Sequence, residues 1–270
     1  MKKIDMHCHT SNRKIRDVIP LSATLPYIKN EMDKYEVTHA VLLATYFPHK
    51  GSGISNFRLY NWINEDPKFS MYGSLDFQYY FYQGFNELEE MAARNMIVGI
   101  KIYTCYQEID ITGERFKMVV DLARKFDLPL MFHAGYSYAS ERKYGRATIG
   151  TPHGAGTLEV IAKENPDIKM IFSHMSKPFF HDMVRVAKNN DNVWTDMSGL
   201  IDSAFDVKEI DICVEEIKTF VGECGSDKLL FGTDFPVQTH KHSVQFIEMA
   251  IKNEEDKANI YFKNAENFIR

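Results

Sequence analysis

The strongest constraint on this chain is an alternation. Short apolar runs of strand length are each followed by a longer amphipathic stretch, eight times over, with no break in composition. The expected strands span 3–9, 39–44, 69–75, 97–103, 128–133, 167–174, 192–197 and 228–234. The expected helices span 24–35, 56–65, 82–95, 113–126, 157–164, 179–188 and 207–221, and two more close the chain at 243–252 and 255–268. Strict alternation implies a parallel sheet with helices outside it. On length alone, 270 residues could form two domains. Eight units instead favour one closed (β/α)8 TIM barrel over residues 1–270, an architecture of about 250 residues. An open doubly wound sheet is the alternative. No Gly-x-Gly-x-x-Gly turn follows the first strand to support a nucleotide-binding form of it.

Composition narrows the partners. With 44% hydrophobic and 26% charged residues and a net charge of −5, nothing global favours nucleic acid or a membrane surface. No apolar run approaches the roughly 18–20 residues that span a bilayer. The first strand starts by Lys3, which leaves no room for a signal peptide. Cys8, Cys105, Cys213 and Cys224 lack framework spacing. The expectation is a cytoplasmic protein without disulfides that takes a small-molecule substrate. Homo-oligomerisation is left open.

Chemistry collects at the ends of the strands. The first reads Ile4-Asp5-Met6-His7-Cys8-His9. Side chains alternate along a strand, so His7 and His9 are expected to point one way, with Asp5 below them, and Ile4, Met6 and Cys8 the other. Lys101 falls near the end of strand four, His133 ends strand five, His174 strand six and Asp234 strand eight. In a barrel these ends meet on one face, where catalytic residues lie; an open sheet would scatter them. Each residue also has a plainer reading. His133 and His174 follow apolar runs and could be satisfied core histidines. Asp234 could cap a helix, and Lys101 could pair with Asp234 or another carboxylate. As a set they suit a divalent metal: three N/O ligands leave an open position for water, and the ion lowers that water's pKa to about 7. A nearby carboxylate can then shuttle a proton, a role open to Asp234. Gly232 is expected to leave room beside the ion. His39, His181, His240 and His242 fall at strand starts or in helices and are set aside.

These segments, with Gly99-Ile100-Lys101, Met131-Phe132-His133, Asn165-Pro166-Asp167-Ile168-Lys169, Ser173-His174, Thr195-Asp196-Met197-Ser198-Gly199, Leu230-Phe231-Gly232-Thr233-Asp234-Phe235-Pro236 and Asn264-Ala265, resemble the amidohydrolase superfamily. The branch is the amidohydrolase-related (type 2) one, and the likeness covers nearly the whole chain. The resemblance implies metal ligation by His7, His9, His133 and Asp234. His174 would lie near the activated water or serve as a further ligand. In binuclear relatives a carboxylated strand-four lysine bridges two metals, which makes Lys101 a candidate ligand. A deoxyribonuclease family with a similar opening carries glutamate where Lys101 stands. A phosphoesterase family opening His-x-His-Thr lacks the Gly-Thr-Asp-Phe-Pro ending.

The cofactor expected is a divalent metal, zinc first, as one or two ions. Loops on the catalytic face carry Arg13, Lys14, Arg16, Lys50, Arg142, Lys143 and Arg146, and the 134–156 loop adds Tyr136, Tyr138, Tyr144 and His153. Most of these cations are expected to be solvated. A lid is compatible with a loop of that length, and Arg146 and Tyr138 are the expected substrate contacts, Arg146 through a bidentate grip on a carboxylate. The expected activity is hydrolysis of an amide, cyclic amide or lactone in a small carboxylated molecule, with Asp234 and His174 catalytic. Nonoxidative decarboxylation at the same site is the alternative. A barrel that binds without catalysis is a third, and loss of a ligand would mark it.

Overall fold

The computed structural model describes residues 1–11, 22–45, 54–136, 153–203 and 207–269. Eight strands lie side by side in sequence order, every neighbouring pair parallel. They are β1 (Lys3–Cys8), β2 (Val37–Leu43), β3 (Phe69–Gly73), β4 (Gly99–Ile102), β5 (Leu130–Phe132), β6 (Met170–Phe172), β7 (Val193–Asp196) and β8 (Leu229–Leu230). The last strand returns to the first: Met6 N–H donates to Phe231 O at 3.0 Å, and Cys8 bridges Phe235 in parallel. The result is the TIM barrel expected from the alternation.

The helices are α1 (Leu25–Lys34), α2 (Asn56–Ile63), α3 (Phe81–Ala93), α4 (Glu114–Lys125), α5 (Ala155–Glu164), α6 (Phe180–Asn189), α7 (Ile210–Cys224), α8 (His240–Ala250) and α9 (Glu254–Ala258). Each buries one stripe. In α6 the buried residues Phe180, Met183, Val186 and Ala187 recur at helical spacing. In α4, Glu114 sits in the first turn and Arg124 and Lys125 in the last, complementing the helix dipole.

Alternation along the strands divides the core. Ile100, Ile102, Leu130, Phe132, Met170 and Phe172 join the large cluster shared with the helices. Ile4, Met6, Val41, Leu43, Tyr72, Met131, Ile171 and Leu230 form a smaller cluster, capped by Phe268. Gly99 serves that second cluster, because a Cβ there would lie 2.4 Å from the Tyr72 ring.

Four expectations need correcting. The face assignment on β1 does not hold: Cys8 belongs to the large cluster and Ile4 and Met6 to the small one. Asp5 turns to Thr233 and His240. The cause is a register shift between Asp5 and Cys8 in the pairing with β2, which interrupts simple alternation just before the ligand pair. Strand eight is only two residues long, because Phe231 N–H leaves the ladder for Ile260 O. The closing helix expected at 255–268 is α9 followed by a π turn over Asn259–Lys263 and a 3-10 turn over Ala265–Asn267. Helix α8 starts earlier than expected because Thr239 caps it, accepting from His242 N–H.

Candidate metal centre

His7 is the penultimate residue of β1, and His9 is the first residue beyond it. Asp234 lies beyond β8 in a turn where its own φ is +56°. That turn is tied back to β1, since Asp234 N–H donates to His7 O at 2.7 Å and His9 N–H to Phe235 O at 2.9 Å. The chain closure therefore brings the three side chains together. Asp234 Oδ1 stands 3.1 Å from His9 Nε2 and 3.5 Å from His7 Nε2.

A second carboxylate sits behind them. Asp196, at the end of β7 and fully buried, has Oδ2 3.0 Å from His7 Nδ1. Its Oδ1 accepts from His174 N–H at 3.0 Å, from Ser198 N–H at 3.1 Å and from the Ser198 hydroxyl at 2.5 Å. His174 begins a turn of three consecutive left-handed residues after β6. Its Nδ1 is 2.9 Å from Ser198 O, and its Nε2 is 3.1 Å from His133 Nδ1.

Among the described residues two sets of ligand atoms converge within 4.8 Å: His7, His9 and Asp234, and His7, His174 and Asp196. Their hydrogen bonds tell them apart. The oxygens of Asp196 are taken by four donors, a load that suits a buried scaffold better than a ligand. Asp234 Oδ1 faces two imidazole nitrogens, and Asp234 and His9 reach solvent, at 16% and 25% exposure against 1% for His7.

The charge states of this cluster suit a cation. Burial, helped by the charge of Lys101, pushes the His7 imidazole down to about 3, although Asp196 pulls the other way. The ring is therefore neutral near neutral pH. Burial would raise the Asp234 carboxyl, but the His9 hydrogen bond and the charges of His7, His9 and His174 outweigh it, so it stays well below the usual carboxylate range. His174 is also held below the ordinary imidazole value, chiefly by burial. Neutral imidazoles beside an ionised carboxylate are the state a cation requires.

The donors fit a metal on geometry as well. Asp196 fixes the proton of His7 on Nδ1, the arrangement in which a second carboxylate orients a ligating histidine. This leaves the Nε2 lone pair directed at an anionic oxygen 3.5 Å away. Two such lone pairs repel unless a cation lies between them. Ligand atoms about 2.1 Å from a tetrahedral ion would themselves stand about 3.4 Å apart, close to the two separations seen.

The other expected residues take these places. His133 follows β5 directly; it packs against His174, ring centroids 4.5 Å apart, and belongs to neither converging set. Lys101 is fully buried on β4, where its Nζ donates to Ser173 Oγ at 3.1 Å. Gly232 does not leave room for an ion: a Cβ there would lie 3.2 Å from the Cβ atoms of both His7 and Ser198, so those side chains fill the space. Arg146 and Tyr138 lie outside the described residues, as do Arg13, Lys14, Arg16, Lys50, Arg142, Lys143 and Tyr144. Tyr136 packs on Phe179, and His153 is buried.

Sequence reasoning assigned no role to Asp196, Ser198 or His240. Asp196 stood at a strand end after Val193-Trp194-Thr195, which was the available signal. Gly199 was another: its φ is +57°, and a Cβ would fall 2.8 Å from Asp234 Oδ2, so the chain needs glycine there.

Residues 4–270 match the amidohydrolase family. The chain belongs to that family. It is an enzyme of the amidohydrolase superfamily, whose members depend on metals, and its described residues offer a His/Asp metal site. No functionally curated protein matches it in sequence. Solved structures do match in fold. A 2-pyrone-4,6-dicarboxylic acid hydrolase described as probable, from Acinetobacter baumannii with citric acid bound, is 15% identical with a TM-score of 0.70, over 100% of this chain and 99% of that one. The 5-carboxyvanillate decarboxylase of Sphingomonas paucimobilis is 16% identical, TM-score 0.69, over 99% and 98%. A dihydroxybenzoic acid decarboxylase from a Polaromonas species, with bound manganese and the inhibitor 2-nitroresorcinol, is 16% identical, TM-score 0.70, over 99% and 96%. Among the described residues, no helix is long and apolar enough to cross a membrane.

Proposed function

We propose that this amidohydrolase-family chain is a metal-dependent hydrolase of a small carboxylated molecule, cleaving an amide, cyclic amide or lactone bond. The observation that carries this reading is the ionised Asp234 carboxylate, set against the Nε2 atoms of His7 and His9 on the side of the site that reaches solvent. His7, His9 and Asp234 would hold the ion, with His133, His174 and Lys101 as further candidates. Zinc is the first expectation, and the manganese in one structural relative makes that ion the next. Because Asp196 is occupied by four donors, a single ion is the simplest loading. The bound ion would supply a Lewis acid and a water of lowered pKa.

The chain's own groups do the remaining work. Asp196 holds the His7 ring in one tautomer. Asp234 accepts the proton lost by the attacking water and passes it to the leaving atom. His174, fixed at Nδ1 by the Ser198 carbonyl, has an accepting Nε2 beside His133 and would orient the attacking water by accepting from it. Arg146 and Tyr138 would contact the substrate carboxylate. A carboxylated substrate is supported by the relatives, whose names all specify a carboxylic acid as substrate.

Nonoxidative decarboxylation is the second reading, favoured by the two decarboxylases among those relatives. One assay separates them. Zinc- or manganese-loaded enzyme is given small carboxylated lactones and amides in oxygen-labelled water. Hydrolysis places one labelled oxygen in the product and releases no carbon dioxide. Carbon dioxide released in step with substrate loss, without label in the product, would overturn the hydrolase reading.

A further inference from the structure

Behind the ligand cluster lies a second buried network that the reaction chemistry does not use. Asp5 is fully buried two residues before His7. Its Oδ1 accepts from His7 N–H at 3.1 Å and from Thr233 N–H at 3.0 Å. Its Oδ2 accepts from the Thr233 hydroxyl at 2.6 Å. The Thr233 oxygen in turn accepts from Phe235 N–H at 2.9 Å. His240, also fully buried at the start of α8, brings Nε2 to 3.1 Å from Asp5 Oδ2, although the ring's orientation there completes no hydrogen bond.

The pattern of contacts is unusual in what it spans. One carboxylate grips the backbone of His7, a ligand candidate on β1, and both the backbone and side chain of Thr233, the residue immediately before Asp234. Thr233 then holds the residue immediately after Asp234. Asp234 is thus bracketed on both sides while its own backbone sits at φ +56°, a region that a non-glycine residue keeps only when its surroundings enforce it. The register shift in β1 falls between Asp5 and Cys8, so Asp5 also anchors the strand where its pairing is irregular.

We propose that Asp5 and Thr233 form a clamp that sets the spacing between the β1 histidines and Asp234, and through it the site's grip on a divalent cation. They are positioning residues and touch no ligand atom. His240, fully buried, packs beside the clamp with Nε2 3.1 Å from Asp5 Oδ2. The proposal rests on the metal reading of His7, His9 and Asp234.

Cobalt(II) is the probe, because its absorption reports both affinity and ligand geometry. Wild-type apoenzyme, Thr233→Val, Thr233→Ser, Asp5→Asn and His9→Ala are titrated with it, and circular dichroism establishes that each is folded. Thr233→Val keeps the shape of the side chain and removes the hydroxyl. It is expected to weaken cobalt binding about 10- to 100-fold and to alter the visible bands, while Thr233→Ser restores both. Asp5→Asn should weaken binding in the same direction. Should Asp5→Asn fail to fold, the valine and serine pair decides the matter. A merely structural network would lower the melting temperature but leave the affinity and spectrum of the folded protein unchanged, and that result for Thr233→Val overturns the clamp. If wild type and His9→Ala alike bind no cobalt, the metal reading fails and takes the clamp with it. If wild type binds and His9→Ala does not, only the clamp is on trial.

Discussion

Asp196 ends β7 and Asp234 lies in the turn beyond the neighbouring β8, each beside His7 and each held ionised in a buried setting. They differ in what surrounds their oxygens. Asp196 is enclosed by one imidazole, two backbone amides and a hydroxyl. Asp234 meets two imidazole nitrogens and reaches solvent. The first is arranged to stay as it is, the second to exchange a partner. Residue type is the same for both, so the division of labour between them comes from where the chain places each and from hydrogen bonding.

Substitution can break this comparison. The largest effect is expected at the open carboxylate. Asp234→Asn, like His9→Ala, should lower turnover by about 100- to 10,000-fold and empty the protein of metal, while thermal unfolding stays close to wild type. Turnover and metal content measured together check this, and full activity in both variants would remove the site altogether. Asp196→Asn should show the opposite balance. Removing a buried charge that four donors depend on costs about 3–5 kcal/mol of stability, readable in denaturant unfolding, and the loosened His7 ring should weaken metal binding about 10- to 100-fold. If Asp196→Asn proves stable and Asp234→Asn unfolds, the two roles are exchanged.

A third carboxylate supplies the outer reference. Glu159 on α5 is held at about 2, first by Arg185 and further by Lys163 and Asn190, against the opposing effect of burial. Its folded value lies below its unfolded one. The stabilisation is therefore complete above about pH 4.3 and is lost as the pH falls toward 2. Arg185 is 46% exposed, so screening keeps the effect near about 1 kcal/mol. Melting temperatures measured between pH 6 and 2.5 should fall less steeply in Glu159→Gln than in wild type, with metal binding at neutral pH unchanged. An equal slope in the two proteins would show that the Arg185 pair adds nothing.

The same contrast explains what could be read from the chain. Strand-type runs ending in His9, His133, His174 and Asp234 announced both the barrel and the face where chemistry gathers, because apolar periodicity and strand length are local properties and strict strand–helix alternation implies a parallel sheet. The facing of Asp5 could not be read, since the register shift in β1 arises from its pairing with β2. His240 looked like a helix residue, which it is, and only the packing of α8 against the first strand brings it to Asp5. Asp196 was visible as a strand end, but its role depends on Ser198 and on histidines brought from β1 and β6. Substrate contact by Arg146 and Tyr138 concerns a loop outside the described residues.

The carbonyl of His7 accepts from the amides of both Thr233 and Asp234, and His7 and Thr233 are 226 positions apart. This has a consequence for biogenesis. During synthesis the histidine pair is therefore made well before the carboxylate that completes the cluster. Barrel closure and metal capture thus become one event. A chain stopped before Asp234 lacks one of the three donors, so firm metal retention would report that synthesis has passed that residue and that β8 has closed on β1.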